Sequence, residues 1–191
     1  MPASISSLRK NPTGIEPEVH PSAYIDETAV VIGRVIIGAR VFVGPYSVIR
    51  ADELDAEGQM QPVIIGADSN IQDGVVIHSA KGAAVTVGER VCVAHRSIVH
   101  GPCQVGSDCF IGFNAVIFRS HVGAGCIVQH NAVIDGLDIP TGLLVPPLTS
   151  VTPGFDLGSL RKAEQEHTDF AASVVAVNQW LTSGYKALAG E

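Results

Sequence analysis

Three of the seven histidines in this 191-residue chain, His78, His95 and His100, sit close enough in sequence to act together. Neutral imidazole holds first-row metals, zinc at roughly 2.0–2.1 Å, and three such ligands leave a fourth position open, as catalytic rather than structural sites do. A lone histidine near a corner is more often solvated or hydrogen-bonded at the surface, so the trio must be justified by register. His20, His121, His130 and His167 share no register with it and are expected to be surface residues.

The register comes from a repeat. Aliphatic residues recur every six positions in four runs: Ile25 to Ile49, Ile65 to Ile77, Val87 to Ile117, and Ile127, Val133, Ile139, Val145 and Val151. A period of six fits neither a 3.6-residue turn nor a long alternating strand, but it suits short strands divided by regular corners. Hexapeptide repeats build a parallel β-helix. Three hexads close one triangular coil of 18 residues, and residues one coil apart then stack at the strand spacing of roughly 4.8 Å. Glycine often follows the aliphatic position, as at Gly38, Gly66, Gly88 and Gly106, where a missing Cβ permits a sharp corner.

Residues 50–62 and 78–85 interrupt the repeat as loops, and a third slip lies between Ile117 and Ile127. With ten extra residues in the first loop and four in the second, His78 stacks on His100. Arg50 then lies one coil before His78, and Phe118 one coil beyond His100. His95, two residues past Val93, falls one face earlier and across a corner. One chain would struggle to bring these three imidazoles to a point, whereas a threefold homotrimer lets a neighbour supply His95 and creates three equivalent sites. Zinc is the expected ion, with ferrous iron or cobalt compatible with the same donors.

Composition narrows the remaining choices. Hydrophobic residues make up 46% of the chain and charged residues 16%, which favours a buried core, and with aromatics at 5% that core must be built from Val, Ile, Leu and Ala. A net charge of −7 with no basic cluster argues against nucleic acid as a partner. No run approaches a membrane span, and Met1–Ser7 lacks a charged and apolar leader, so a cytoplasmic protein is expected. Cys92, Cys103, Cys109 and Cys126 form no C-x-x-C pair and are expected to be packing thiols. After Pro146-Pro147 the repeat fades. Phe170, Val174, Val177, Leu181, Tyr185 and Leu188 predict an amphipathic helix with Ser159 as N-cap, Gly190 as stop, and this stripe against a prism face. The expected organisation is one domain, a β-helix over 17–152 with a helical tail over 156–190.

The segments Arg50-Ala51-Asp52-Glu53, Asn70-Ile71-Gln72-Asp73, Val76-Ile77-His78, Ala94-His95-Arg96-Ser97-Ile98-Val99-His100-Gly101 and Phe110-Ile111-Gly112-Phe113 resemble the γ-class carbonic anhydrases. Asp169-Phe170, Val177-Asn178-Gln179 and Gly184-Tyr185 further resemble the carbonic-anhydrase-like domain of the cyanobacterial carboxysome assembly protein. The resemblance implies a left-handed β-helix, a homotrimer, and a metal bound by His78 and His100 of one chain and His95 of the next. It implies that metal-bound hydroxide attacks CO2 to give bicarbonate, with Gln72 hydrogen-bonding the bound solvent and Arg50, Asp52 and Asp73 forming a charged network beside Asn70. It places a proton-shuttling glutamate at Glu53, although Glu57-Gly58 aligns with the same motif. Asn178 matches an asparagine close to the site, and Phe118 is a candidate apolar wall for CO2.

Two departures stand out. The loop Ser79-Ala80-Lys81-Gly82 lacks the second relay carboxylate of some members, and no cysteine follows Cys126 to form the C-terminal disulfide of the carboxysomal ones. Alternatives of other classes are an assembly trimer with little or no activity, and a coenzyme A-dependent acyltransferase of the hexapeptide type.

Overall fold

Each hexad contributes one short strand and one turn, and the turns route successive strands onto three faces of a prism. The computed structural model describes residues 7–190; Met1–Ser6, considered above for a leader, lie outside the described residues, as does Glu191. Face A has eight strands and includes Val48–Ala51, Val76–His78, Ile98–His100 and Val116–Phe118. Face B has six strands, and face C has eight, including Asn70–Ile71 and Cys92–Val93. Among the described residues all strand pairings are parallel except the last on face C, where Arg161–Lys162 runs antiparallel to Leu143–Val145. The chain is therefore a parallel β-solenoid with one C-terminal helix.

The interior is a stack of like residues. Val31, Ile49, Ile77, Val99, Ile117 and Ile134 lie one above another on face A, all fully buried. Complete burial of each such side chain contributes about 1.5–3 kcal/mol. Corners are tight where these columns turn: a Cβ on Gly66 would lie 2.5 Å from the carbonyl carbon and oxygen of Gly88 one coil on.

The coil is not constant in length. Ile49 pairs with Ile77 and Ile77 with Val99, so the two loops add the ten and four residues the register requires. Beyond Ile117 the coil shortens, because Ile117 pairs with Ile134 and Ile111 with Val128. The interior residues there are Val128 and Ile134, rather than the Ile127 and Val133 that strict counting in sixes selects. Ile127 instead faces outward beneath the helix, and Val133 stands half-buried on the outside of face A.

The helix also differs from expectation at its start and in its buried face. Ser159 closes a short 3-10 turn, Leu157–Ser159, in which its Oγ donates to the Asp156 carbonyl. The α-helix spans Gln165–Ala189 with Glu164 at the N-cap, because residues 161–162 are first drawn into face C. Gly190 ends it in a left-handed conformation, as expected. The buried helix residues are Ala171, Val175, Asn178 and Thr182, and Ala171, with Val174 beside it, packs against Cys92, Ala94, Phe110, Ile127 and Leu144. The larger stripe residues lie to one side: Val174 and Leu181 are half-buried, whereas Phe170, Val177, Tyr185 and Leu188 are exposed. Phe170 packs edge-on against Phe110, and Tyr185 stacks on Tyr24, so the helix runs back along face C toward the early coils. Among the described residues no helix is long and apolar enough to cross a membrane.

Candidate metal centre

The strand Val76–His78 holds Ile77 inward, which turns His78 outward, and the next coil does the same for His100. The backbone register sets Arg50, His78, His100 and Phe118 in one outward column on face A. His78 Nδ1 lies 3.2 Å from His100 Nε2, and His100 Nδ1 lies 3.2 Å from the Gly101 carbonyl oxygen. A carbonyl can only accept, so His100 carries its proton on Nδ1 and presents a bare Nε2. At the other end Arg50 Nη2, which can only donate, is 3.3 Å from His78 Nε2. Both imidazoles thus have the lone pair on Nε2, where a metal would take the place of the present donor. Burial, then the neighbouring Arg50 guanidinium, lowers the His78 pKa, favouring the neutral form that ligates metals.

The loop after Ala51 surrounds this pair with charge. Arg50 Nε is 3.2 Å from Asp52 Oδ1, an ion pair lacking hydrogen-bond alignment, since both atoms are buried without a hydrogen-bond partner. Glu53 Oε1 is 3.4 Å from His78 Nε2, and its side chain is 44% exposed, so it touches both the histidine and solvent. Glu57 instead belongs to a turn organised by Asp55, whose Oδ1 accepts from the Glu57 and Gln59 amides. Of the two candidate glutamates, Glu53 is the one beside the pair. Phe118 lies 5.2 Å ring to ring from His100 and supplies an apolar side to the column.

His95 belongs to a second constellation. It stands in the turn between faces C and A, about half-exposed, with Nδ1 3.6 Å from Asp73 Oδ2 and its ring beside Phe113. A cleft of about 430 Å³ there is lined by Gln72, Asp73, His95, Asn178, Val177 and other residues of the strand and helix. Gln72 Oε1 and both polar side-chain atoms of Asn70 are buried without a hydrogen-bond partner. Asn178 is held by donating from Nδ2 to the Val174 carbonyl.

One chain therefore carries two half-sites: Arg50, Asp52, Glu53, His78, His100 and Phe118 on face A, and Gln72, Asp73, His95 and Asn178 at the corner, with Asn70 buried on the neighbouring strand. A different trio, Glu164, Glu166 and His167, gathers donor atoms at the helix start; it is largely exposed, and His167 Nδ1 already accepts from the Glu164 amide. The other histidines have local roles: His20 with Ser22, His121 with Asp138, and His130 stacked on Phe113.

Sequence reasoning missed one feature of the face. Val48, Val76, Ile98 and Val116 form an outward aliphatic column beside the histidines, whereas the helix has its main contacts with Tyr24–Ile25, Phe42–Val43 and Cys92–Val93 on face C. Its signal was present, a branched aliphatic two residues before each column residue, but it was hidden beside the stronger interior repeat.

Known proteins resemble this chain in sequence and in fold. A family model described as bacterial transferase hexapeptide (six repeats) matches residues 84–119. A carbonic anhydrase of Methanosarcina thermophila is 38% identical over 92% of this chain and 77% of its own length. The carboxysome assembly protein CcmM of a Nostoc species is 38% identical over 89% of this chain, which spans only 31% of that longer protein. A hexapeptide transferase family protein from Anaplasma phagocytophilum superposes with a TM-score of 0.77 at 23% identity over 93% of this chain and 97% of its own, a likeness in fold alone.

Proposed function

The chain belongs to the γ-class carbonic anhydrase family, and from that membership we propose that it catalyses the reversible hydration of CO2 to bicarbonate at a metal shared between two copies in a homotrimer. The observation that carries this reading is the division into complementary half-sites: the stacked His78–His100 pair on one face, and His95 stranded at a corner with Gln72 and Asn178. His78 and His100 would hold the ion from one protomer and His95 from the next. The donor set fits: His100 presents a bare Nε2, and His78 is biased toward its neutral form. A divalent ion with three neutral ligands supplies a Lewis acid that brings the pKa of a coordinated water to about 7.

The chain's own residues would do the rest. Glu53, between His78 and solvent, takes the proton and passes it to buffer. Arg50 and Asp52 hold that loop against the histidine column. Gln72, with an unpaired buried Oε1, accepts a hydrogen bond from solvent or bicarbonate in the assembled cleft, with Asp73 and Asn178 on its walls and Asn70 buried two residues before Gln72. Phe118 gives CO2 an apolar approach. Zinc is the first choice of ion, with ferrous iron and cobalt compatible with three imidazoles. The four buried free thiols fit a reducing compartment such as the cytoplasm.

The test is anaerobic purification with elemental analysis, followed by stopped-flow CO2 hydration on the same sample. We expect one metal per chain and hydration above the buffer rate. A metal-replete trimer with no bicarbonate formation above buffer would favour the second reading, an assembly trimer that retains the site. Similarity to CcmM and the missing carboxylate in the Ser79–Gly82 loop support that alternative.

A further inference from the structure

The C-terminal helix carries more apolar surface than its own prism covers. Ala171, Val175, Asn178 and Thr182 face the prism. On one side of that line the helix is polar: Gln179, Ser183 and Lys186 border Arg40 and Ser22, and Gln179 Nε2 donates to Asp68 Oδ1 at 2.9 Å. On the other side it remains apolar far beyond the buried face. Val177 is 55% exposed, Trp180 73% and Leu188 85%, and Gly184 leaves a notch between the last two, part of a groove of about 350 Å³. The asymmetry has a direction, because Val177 and Leu181 also line the cleft that holds His95.

We propose that this second stripe is buried against another copy of the same chain, the copy whose His78 and His100 meet this His95. The inference rests on the intersubunit reading and adds a new element to it: the helix is shared, one face seating Asn178 over its own prism and the other fastening the neighbour. A second copy is the occupant the observations favour. The stripe borders His95, whose metal set is incomplete without another copy. The surface that His95 must approach is also apolar, since Val48, Val76, Ile98 and Val116 stand beside the histidine column. Contact there would be apolar from both partners.

Trp180 is the only tryptophan in the chain and therefore reports on the stripe directly. Sedimentation velocity on the full chain gives the assembly state, and acrylamide quenching of Trp180 fluorescence gives its burial in that state. We expect a trimer in which Trp180 emits to the blue and is quenched several-fold more slowly than in the urea-unfolded chain. Leu188→Asp, near the helix end and 85% exposed, should weaken assembly by about tenfold or more while leaving the circular dichroism of the chain intact. A trimer whose Trp180 is quenched as readily as in the unfolded chain overturns the proposal and leaves the intersubunit metal standing; it would assign the stripe to a different protein. A wild-type chain that sediments as a monomer at every concentration overturns both. The quenching measurement uses the wild-type protein, so it decides even where a variant misfolds.

Discussion

Arg50, His78, His100 and the Gly101 carbonyl form a directed series in which each donor faces the next acceptor. Binding a metal breaks the first two of these contacts and leaves the third, which keeps the His100 ring in place. His95 stands about half-exposed in a turn, meeting its own chain at Asp73 and the Phe113 ring, so His95→Ala should remove the metal without disturbing the prism. We expect metal content to fall at least about tenfold with a folding stability within about 0.5 kcal/mol of wild type, by elemental analysis and urea denaturation. The cysteines make a contrasting case at this scale. Burial pushes the Cys92 thiol up to about 12, so iodoacetamide at neutral pH should leave it unmodified in the native protein and label it in urea, as mass spectrometry would read. The stacked column of Arg50, His78, His100 and Phe118 was legible in the sequence because parallel register follows from counting. That Asn178 stands near Gln72 and His95 was implied only by the family resemblance, since Asn178 arrives on a helix whose seat no local periodicity specifies.

At the scale of elements, corners and the helix seat carry the energetics. Gly66→Ala would drive a methyl into the Gly88 backbone, which cannot move without shifting a whole coil. We expect a loss of about 1–3 kcal/mol or more, visible as a lower denaturation midpoint. The helix is held axially by Gln179 on Asp68, itself gripped by Arg40 at 2.6 Å through two hydrogen bonds. Arg40 lowers the Asp68 pKa below the ordinary carboxylate value, so this contribution is fully present above about pH 4 and is lost as pH falls through the depressed value. Gln179→Glu should set a second carboxylate against Asp68 at neutral pH, and hydrogen exchange should then show faster amide exchange across the helix. The stripe from Phe170 to Leu188 identified the helix correctly but not its buried face. Period alone records every apolar side of a helix, and this helix has two, of which the smaller side chains pack closer.

For the whole molecule, the repeat made the solenoid legible early, since six-residue spacing has few other solutions. The shortened coils after Ile117 escaped counting because adjacent positions there, Ile127 and Val128, or Val133 and Ile134, are both branched aliphatics and only pairing tells inside from outside. A site divided between protomers also ties metal retention to protein concentration. Serial dilution with a fixed excess of weak chelator should strip metal progressively as the assembly dissociates, whereas a site built within one chain would lose it independently of dilution.

Residues 161–162 close face C with a strand running against all the others. A stack of parallel rungs has no intrinsic last rung, and an open end offers its unpaired amides and carbonyls to the next molecule. Reversing direction there spoils the template for head-to-tail growth. We expect the full-length chain carrying Arg161→Pro and Lys162→Pro, its helix retained, to grow into filaments detectable by light scattering and electron microscopy, so two residues outside the candidate site would decide whether the protein stays in solution or polymerises.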